Sequence, residues 1–178
     1  LTGSTHTDTL TGLDAISTFN IQLANVQYVS TNTLTITAIE DLLGGSAADT
    51  FTFANGAQLE SGNGTLNGQG GTDLLNYAAY TTAVTVNLNN GTATGTNGIS
   101  NIEIVTGGSA GDDLTSDAAD NVLTGAGGDD TYYFLDGWGS DTVVELASGG
   151  TDTMNFSQIS GTISVDSNGS TITVTNAV

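Results

Sequence analysis

The sequence contains no lysine and no arginine, so none of its 19 aspartate and glutamate residues can pair with a basic side chain. The formal net charge is -19 over 178 residues. These carboxylates repel one another, and their neutralisation must come from bound or condensed cations. Phosphate recognition needs a basic patch, so nucleic acid is excluded as a partner. Attraction to an anionic membrane surface is excluded for the same reason.

Cysteine and proline are also absent. Without cysteine there are no disulfides, and the redox compartment cannot be read from them. A chain without proline suits strands that use every backbone N–H and tight turns built from Gly, Asn and Asp. A hydrophobic content of 37% and 25 glycines in repeating registers argue against disorder.

No run of about 18 apolar residues is present, so no transmembrane helix is expected. The sequence begins at Leu1 without a basic and apolar leader. We interpret the chain as a processed product, a fragment or a portion of something longer.

Residues 107–133 divide into three consecutive nine-residue blocks, GGSAGDDLT, SDAADNVLT and GAGGDDTYY. A period of nine with glycines first suits a chain that turns, forms a short strand and turns again, so that successive turns stack. The sixth and eighth places of the blocks hold, in order, Asp112 and Leu114, Asn121 and Leu123, Asp130 and Tyr132.

This register resembles the calcium-binding nonapeptide GGxGxDxUx of the RTX, or hemolysin-type, family, in which U is a large apolar residue. The resemblance implies a parallel β-roll with calcium in its loops, where each block is half a coil. Asp112 and Asp130 are then neighbours that face a shared gap. Carboxylates and main-chain carbonyls are the oxygen ligands that Ca²⁺ prefers, and glycines let the loops approach closely. The alternative is that the glycine loops are merely tight turns.

Weaker copies of the block occur at 3–11, 44–52, 68–76 and 147–155. In the middle block at 116–124 only Asn121, with Asp117 and Asp120 nearby, could contribute a ligand. The segment DGWGSDT at 136–142 follows the third block, as it does in RTX-like sequences. This resemblance implies that Asp136 and Asp141 add two further carboxylate ligands. The candidate calcium ligands are therefore Gly107, Ser109, Gly111, Asp112, Asn121, Gly125, Gly127, Asp129, Asp130, Asp136 and Asp141, with Asp49, Asp73 and Asp152 from the weaker copies.

Longer repeats connect these blocks. Residues 36–104 resemble 99–116 and 123–178, which places Glu40 and Glu103 in equivalent positions. The segments VTVNLNNGTATGT and ISVDSNGSTITVT predict β-hairpins in which Gly91 and Gly169 take positive φ. No convincing helix is present; the nearest candidate, TITAIEDLL, reads equally well as a strand.

The predicted fold is therefore all-β: a parallel β-roll or β-solenoid with calcium-binding Gly/Asp-rich loops, interrupted by β-hairpin insertions. Residues 1–178 form a single continuous module. Joining the last residues to the first gives a junction that resembles 119–130. The ends show no helix, charged cap or proline, which predicts a tandem array or end-to-end stacking. A fragment cut from a longer protein would have the same ends.

An enzymatic role is not expected. His6 is the only histidine, too few for a zinc site, and no GxSxG elbow accompanies it; we interpret it as a solvated loop residue. Carboxylate pairs such as Asp112 and Asp113 could in principle cleave polysaccharides as an acid/base pair. The chain has no lysine or arginine side chain to bind a uronate substrate, which argues against this role. The aromatic residues are expected to pack in the core or at its end rather than form a sugar-binding platform: Phe51, Phe53, Tyr77, Tyr80, Tyr132, Phe134 and Trp138.

The resemblance to RTX sequences implies an extracellular, bacterial-type module, and we expect it to be a structural module that depends on calcium, as part of a fibre, surface layer or adhesin. Its expected partners are calcium ions and other copies or neighbouring repeats of itself, with no nucleic acid and no membrane insertion. The alternative is a calcium-binding accessory or secretion module of a larger secreted enzyme or toxin, whose catalytic domain lies outside this chain.

Overall fold

A computed structural model describes residues 7–59, 63–146, 149–167 and 171–177. His6 and Gly169, which the sequence places in loops, lie outside these residues. The described part of the chain is built from strands and contains no helix, and so none that could cross a membrane. The strands are β1 Thr9–Thr11, β2 Thr18–Ile21, β3 Val26–Val29, β4 Thr33–Ile36, β5 Asp41–Gly45, β6 Thr50–Phe53, β7 Thr65–Gln69, β8 Leu74–Asn76, β9 Thr85–Asn87, β10 Thr92–Ala93, β11 Gly98–Ser100, β12 Ile104–Thr106, β13 Asp113–Thr115, β14 Val122–Thr124, β15 Thr131–Leu135, β16 Ser140–Val144, β17 Thr153–Gln158, β18 Thr162–Ser167 and β19 Thr171–Ala177.

Most of the strand pairs are parallel and join strands that are not consecutive in the chain. The large sheet has the order β18-β19-β16-β14-β12-β8-β6-β2-β3-β4, and its six strands from β16 to β2 are parallel. The first small sheet, β1-β5-β7-β11, is parallel throughout. The second small sheet has the order β10-β9-β13-β15-β17. The chain thus passes repeatedly between the large sheet and a small one.

The three nine-residue blocks divide between two sheets. Strand β13 of the first block pairs in parallel with β15 of the third, with Leu114 opposite Tyr132. Strand β14 of the middle block pairs instead with β12 and β16 of the large sheet. The prediction that alternate blocks are neighbours is confirmed.

The core follows from the alternation of apolar and polar residues along these short strands. Since side chains point to opposite faces in turn, one apolar residue per strand is enough to build a stacked row. Burying a large apolar side chain contributes about 1.5–3 kcal/mol. The row on the large sheet is in register and completely buried, and consists of Phe19, Phe51, Leu75, Val105, Leu123 and Val143. The row on the second small sheet is Val86, Leu114, Tyr132 and Met154.

Aromatic side chains fill the interior, as the sequence predicts. Phe19 stacks on Phe51 with ring centroids 4.8 Å apart. Phe134 packs against Trp138 and Phe156, each at 5.0 Å, where β15 approaches β17. The other aromatic residues expected to pack in the core are also buried: Phe53, Tyr77, Tyr80 and Tyr132.

Both predicted hairpins occur as antiparallel strand pairs. Strands β9 and β10 pair through Val86 and Ala93, and Gly91 has φ of 70°. Strands β18 and β19 form the second pair. The helix candidate at residues 35–43 holds the end of β4 and the start of β5, so the strand interpretation is correct.

The edges of the large sheet are not formed by its parallel strands. Strands β3 and β4 continue the sheet beyond β2 as an antiparallel meander, which the sequence did not reveal. Strands β19 and β18 continue it beyond β16, also antiparallel. The parallel part of the large sheet is therefore flanked by a hairpin at each end.

Candidate cation-binding loops

The sixth-place aspartates of the second small sheet form a ladder of hydrogen bonds. Oδ1 of Asp112 accepts a hydrogen bond of 2.8 Å from the backbone N–H of Val84. The N–H of Asp112 in turn donates to Oδ1 of Asp130 at 2.8 Å, and that of Asp130 donates to Oδ1 of Asp152 at 2.9 Å. Each carboxylate therefore satisfies a backbone donor just before the neighbouring strand.

A second ladder runs along the large sheet. Asp49 accepts a hydrogen bond from the N–H of Ser17 at 2.9 Å, and Asp73 accepts one from Asp49 at 2.7 Å. Oε2 of Glu103 accepts one from Asp73 at 2.8 Å. Oε2 of Glu40 accepts a corresponding bond from the N–H of Asp8 at 2.7 Å, just before β5 of the first small sheet.

The middle block interrupts the second ladder. Oδ1 of Asn121 accepts a hydrogen bond from the N–H of Asp117 within its own loop, at 2.9 Å. The N–H of Asn121 donates to Oδ1 of Asp141, also at 2.9 Å. Asn121 and Asp141 therefore lie together on the large sheet, away from the ladder of Asp112 and Asp130.

These ladders give the aspartates a role that needs no ion. A buried backbone N–H without a partner costs about 1–3 kcal/mol, so a carboxylate that accepts from it stabilises the fold directly. Aspartates at these places therefore do not by themselves indicate a bound ion, since the turns use them as acceptors for backbone N–H groups. A carboxylate in these ladders can therefore bind calcium only through an oxygen that accepts no hydrogen bond from the protein.

The first glycine of a block and its sixth-place aspartate depend on each other. A Cβ placed on Gly107 would collide with Oδ2 of Asp112, and one on Gly125 would collide with Oδ2 of Asp130. The pairs Gly44 with Asp49 and Gly68 with Asp73 show the same relationship. The glycine is thus required because the carboxylate fills the space of its side chain.

The loops then fall into two classes according to the second carboxylate oxygen. In the GGSA loops at 44–49 and 107–112, that oxygen is satisfied. Oδ2 of Asp112 accepts a hydrogen bond of 2.6 Å from the N–H of Gly108. Oδ2 of Asp49 accepts one of 2.7 Å from the N–H of Gly45.

In the GxGG loops at 68–73 and 125–130, the backbone turns differently. Gln69 and Ala126 have φ of 71° and 77°, and Gly71 and Gly128 have φ of 125° and 108°. Because of this conformation, the second residue of the loop does not donate to the aspartate. Oδ2 of Asp73 and Oδ2 of Asp130 are buried, and neither has a hydrogen-bond partner among the described residues.

Asp130 shares its surroundings with two further acids. The side chain of Glu145 interacts with Tyr132 and Asp152 and lies close enough to Asp130 for electrostatic repulsion. Its Oε1 is also buried, with no hydrogen-bond partner in the described part of the chain. The hydroxyl of Tyr132 accepts a hydrogen bond of 2.7 Å from the N–H of Gly125.

Sequence reasoning did not select Glu145, although a signal for it exists. Asp141 and Val143 are buried on one face of β16, and the strand alternation places residue 145 on that same face. A carboxylate on an inward-facing position needs a partner, which marks Glu145 as a candidate ligand.

Burial raises the pKa values of these carboxyl groups. Desolvation raises the pKa of Asp73 and of Asp130 to about 6, although backbone hydrogen bonds lower it in part. The pKa of Asp141 also rises to about 6, and that of Glu145 to about 7, again mainly because of burial. Repulsion from Asp152 adds to the shift of Glu145. Each of these groups therefore favours a bound proton or another cation.

The remaining candidate ligands occupy different surroundings. Oδ1 of Asp129 accepts a hydrogen bond from the N–H of Thr151 at 2.9 Å and the side chain is exposed. Asp136 is exposed and accepts hydrogen bonds from the N–H and hydroxyl of Ser160, which lower its pKa. Among the loop residues, Gly107 and Gly125 are buried, Gly127 is half-buried, and Ser109 and Gly111 are exposed.

Five of the predicted ligands lie on the two ladders: Asp112, Asp130 and Asp152 on one, and Asp49 and Asp73 on the other. Among the residues that the structure describes, no three Asp, Glu or His side chains converge as a ready-made metal cluster. A cation at these loops therefore needs main-chain carbonyls beside one or two carboxylates.

No protein-family model, curated protein or solved structure matches this chain. The likeness to the RTX nonapeptide therefore rests on the chain's own blocks.

Proposed function

We propose that the chain is a β-solenoid whose GxGG loops bind calcium, and that it serves as an extracellular structural module of a fibre, surface layer or adhesin. The solenoid interpretation is supported by parallel strands that stack in register on two or more sheets while the chain passes between them. In this interpretation the nine-residue block is half of one turn.

The observation that carries the calcium proposal is the pair of buried oxygens, Oδ2 of Asp130 and Oε1 of Glu145, that lack hydrogen-bond partners among the described residues. A buried carboxylate is costly unless it is paired, and this chain contains no lysine or arginine to pair with it. A bound cation is the remaining charge partner for both groups. Asp73 in the other GxGG loop is the second candidate site, because its Oδ2 is also buried without a hydrogen-bond partner among the described residues.

Calcium suits these loops better than magnesium or zinc. Calcium accepts six to eight oxygen ligands in a flexible arrangement, including backbone carbonyls, whereas magnesium requires near-ideal octahedral geometry and retains water. Zinc sites are usually built from Cys and His, and the chain has one histidine and no cysteine. Extracellular calcium modules commonly have dissociation constants of about 10⁻⁴–10⁻³ M.

The bound ion would act on stability rather than on chemistry. It would neutralise the carboxylates of Asp130 and Glu145 and offset their repulsion with Asp152. A ligand that binds only the folded state stabilises it by mass action, so folding would be favoured where calcium is abundant, outside the cell. The module would then become rigid after export.

Thermal unfolding monitored by far-UV circular dichroism, in EDTA and at increasing calcium, tests this proposal. We expect the unfolding midpoint to rise with calcium in the millimolar range and to respond less to equal magnesium. Isothermal titration calorimetry should give a matching affinity. An unfolding midpoint that is the same after thorough chelation and in excess calcium would contradict the proposal.

A further inference from the structure

The large sheet ends in two edge strands, β4 and β18. Within the described residues, β4 pairs only with β3, and β18 pairs only with β19. An edge strand offers backbone N–H and C=O groups to another chain, and natural proteins usually protect such edges with lysine, proline or a covering segment. The chain has neither lysine nor proline, β4 carries no charge, and β18 carries only Asp166.

Exposed apolar side chains are concentrated toward the two ends of the chain. Leu34 on β4 is 53% exposed, and Val165 on β18 is 51% exposed. The large exposed apolar side chains among the described residues all precede residue 35 or follow residue 145: Leu13, Ile16, Leu23, Leu34, Leu146, Ile163 and Val165. The strands between these limits leave no comparable side chain exposed.

The exposed residues on both edge strands belong to the core face of the sheet. Leu34 lies in register with Tyr28 and, through it, with Phe19 of the buried row. Val165 lies in register with residue 174 and, through it, with the buried Asp141. Because alternate residues share a face, Ile163 is on the same side as Val165. The apolar face of the large sheet therefore extends beyond its covered part at both ends.

The two edge strands also run in the same direction. Strand β4 is antiparallel to β3, which is antiparallel to β2, so β4 is parallel to β2. By the same reasoning β18 is parallel to β16. A second copy moved along the sheet without reversal would thus present its β4 to β18 in parallel orientation.

We infer that β18 of one copy pairs with β4 of a second copy, so that the large sheet continues from one molecule into the next. Residues 163–166 supply the edge on one side and β4 supplies it on the other. Such a head-to-tail contact uses two different surfaces and does not close on itself, so it generates a filament. The occupant of each edge is another copy of this chain, and Leu34 and Val165 are covered in the joint.

The β18–β4 contact rests on the proposed structural role and supplies the surface through which copies of the module would associate. The net charge of -19 opposes association of copies, although β4 carries no charged residue and β18 carries only one, Asp166. Repulsion between exposed charges is largely screened beyond about 8 Å at physiological salt. Association is therefore expected at physiological ionic strength and should weaken in low salt.

The test uses two edge variants of the 178-residue chain, Leu34→Lys and Val165→Lys, studied by sedimentation velocity and negative-stain microscopy. The unmodified chain should form oligomers that lengthen with concentration. Each variant alone should remain monomeric, because one of its two edges is blocked. An equimolar mixture should form dimers and nothing larger, since the intact β18 of one variant meets the intact β4 of the other.

Ala79→Lys, an exposed turn position away from both edges, is the matched control for the added charge and should assemble like the unmodified chain. Circular dichroism should show that all variants fold. Monomers of the unmodified chain at every concentration would overturn the inference, and so would dimers formed by Leu34→Lys alone, which indicate a symmetric β18 contact. The rise in unfolding midpoint with calcium is measured on a variant that carries both Leu34→Lys and Val165→Lys. Since this variant cannot assemble, loss of assembly and loss of calcium binding are distinguished.

Discussion

Oδ1 of Asp130 accepts a hydrogen bond of 2.8 Å from the backbone N–H of Asp112, yet these two ladder residues differ in their second oxygen. Oδ2 of Asp112 is satisfied by the N–H of Gly108, whereas Oδ2 of Asp130 has no partner in the described structure. At the same position of the motif, one aspartate uses both carboxylate oxygens to accept backbone hydrogen bonds, whereas the other uses one and keeps the second available as a metal ligand. This difference separates structural from metal-binding aspartates and leads to opposite predictions for them.

Asp112→Asn is expected to destabilise the protein with or without calcium. Whichever way the amide is oriented, its NH₂ group faces a backbone donor, either that of Val84 or that of Gly108. Leaving one buried donor unsatisfied should lower the free energy of unfolding by about 1–3 kcal/mol. The rise in unfolding midpoint on adding calcium should remain. Thermal unfolding in EDTA and in calcium measures both quantities.

Asp130→Asn is the matched counterpart and should behave in the opposite way. Its amide oxygen can keep the bond to Asp112, while NH₂ replaces the oxygen that has no donor opposite it. Removing a buried charge next to Glu145 and Asp152 should leave stability in EDTA unchanged or higher. The calcium-induced rise should fall sharply. Equal calcium responses in the two variants would exclude the distinction between the loop classes.

Gly107→Ala should be strongly destabilising, and Gly127→Ala should not. The new Cβ at Gly107 would meet Oδ2 of Asp112 and the backbone carbonyl of Gly125, which cannot both move away. Overpacking of this kind costs about 1–3 kcal/mol. At Gly127 the nearest atom is the Cα of Ser109 at 3.6 Å, an ordinary contact. The second change should alter the free energy of unfolding by less than about 1 kcal/mol. Urea unfolding of both variants provides the comparison.

The sequence revealed the parts of the fold that depend on local pattern. The apolar eighth residue and the hairpin at Gly91 follow from short-range spacing, and the alternation of sheets between blocks follows from the resemblance to the RTX nonapeptide; each is found. The β2–β3–β4 meander was missed because its strands carry no glycine signature. The difference between aspartates with both oxygens hydrogen-bonded and those with one oxygen left over was missed, because Asp112 and Asp130 occupy the same position of the motif. Only the backbone of the second loop residue, left-handed at Ala126, decides which oxygen is satisfied.

Glu145→Gln should weaken calcium binding, and Asp136→Asn should not. Glu145 places a buried oxygen without a partner beside Asp130 and Asp152, so its loss removes a charged ligand candidate. We expect the dissociation constant to rise about tenfold, which corresponds to roughly 1.4 kcal/mol. Asp136 is exposed and its carboxylate is occupied by Ser160, so calorimetry on Asp136→Asn should give the original affinity. A weakened affinity in the second variant would restore the ligand assignment made from the sequence.

Stability without calcium should increase as the pH is lowered from neutral. The pKa values of Asp73, Asp130 and Asp141 are raised to about 6, and that of Glu145 to about 7, above their values in an unfolded chain. The folded state therefore binds more protons than the unfolded state between about pH 4 and pH 7, and stability falls as the pH rises through this range. Below about pH 4 the unfolded chain also takes up protons and the gain should level off.

Calcium should remove most of this pH dependence. Because the ion competes with protons for the same oxygens, its binding releases protons and strengthens as the pH rises. The rise in unfolding midpoint on adding calcium should thus be larger near pH 7.5 than near pH 5, by an amount that Asp130→Asn reduces. Unfolding midpoints across this pH range, in EDTA and in calcium, provide the measurement. A midpoint in EDTA that is highest at neutral pH would mean that these carboxylates are stabilised in their charged form by contacts other than a cation.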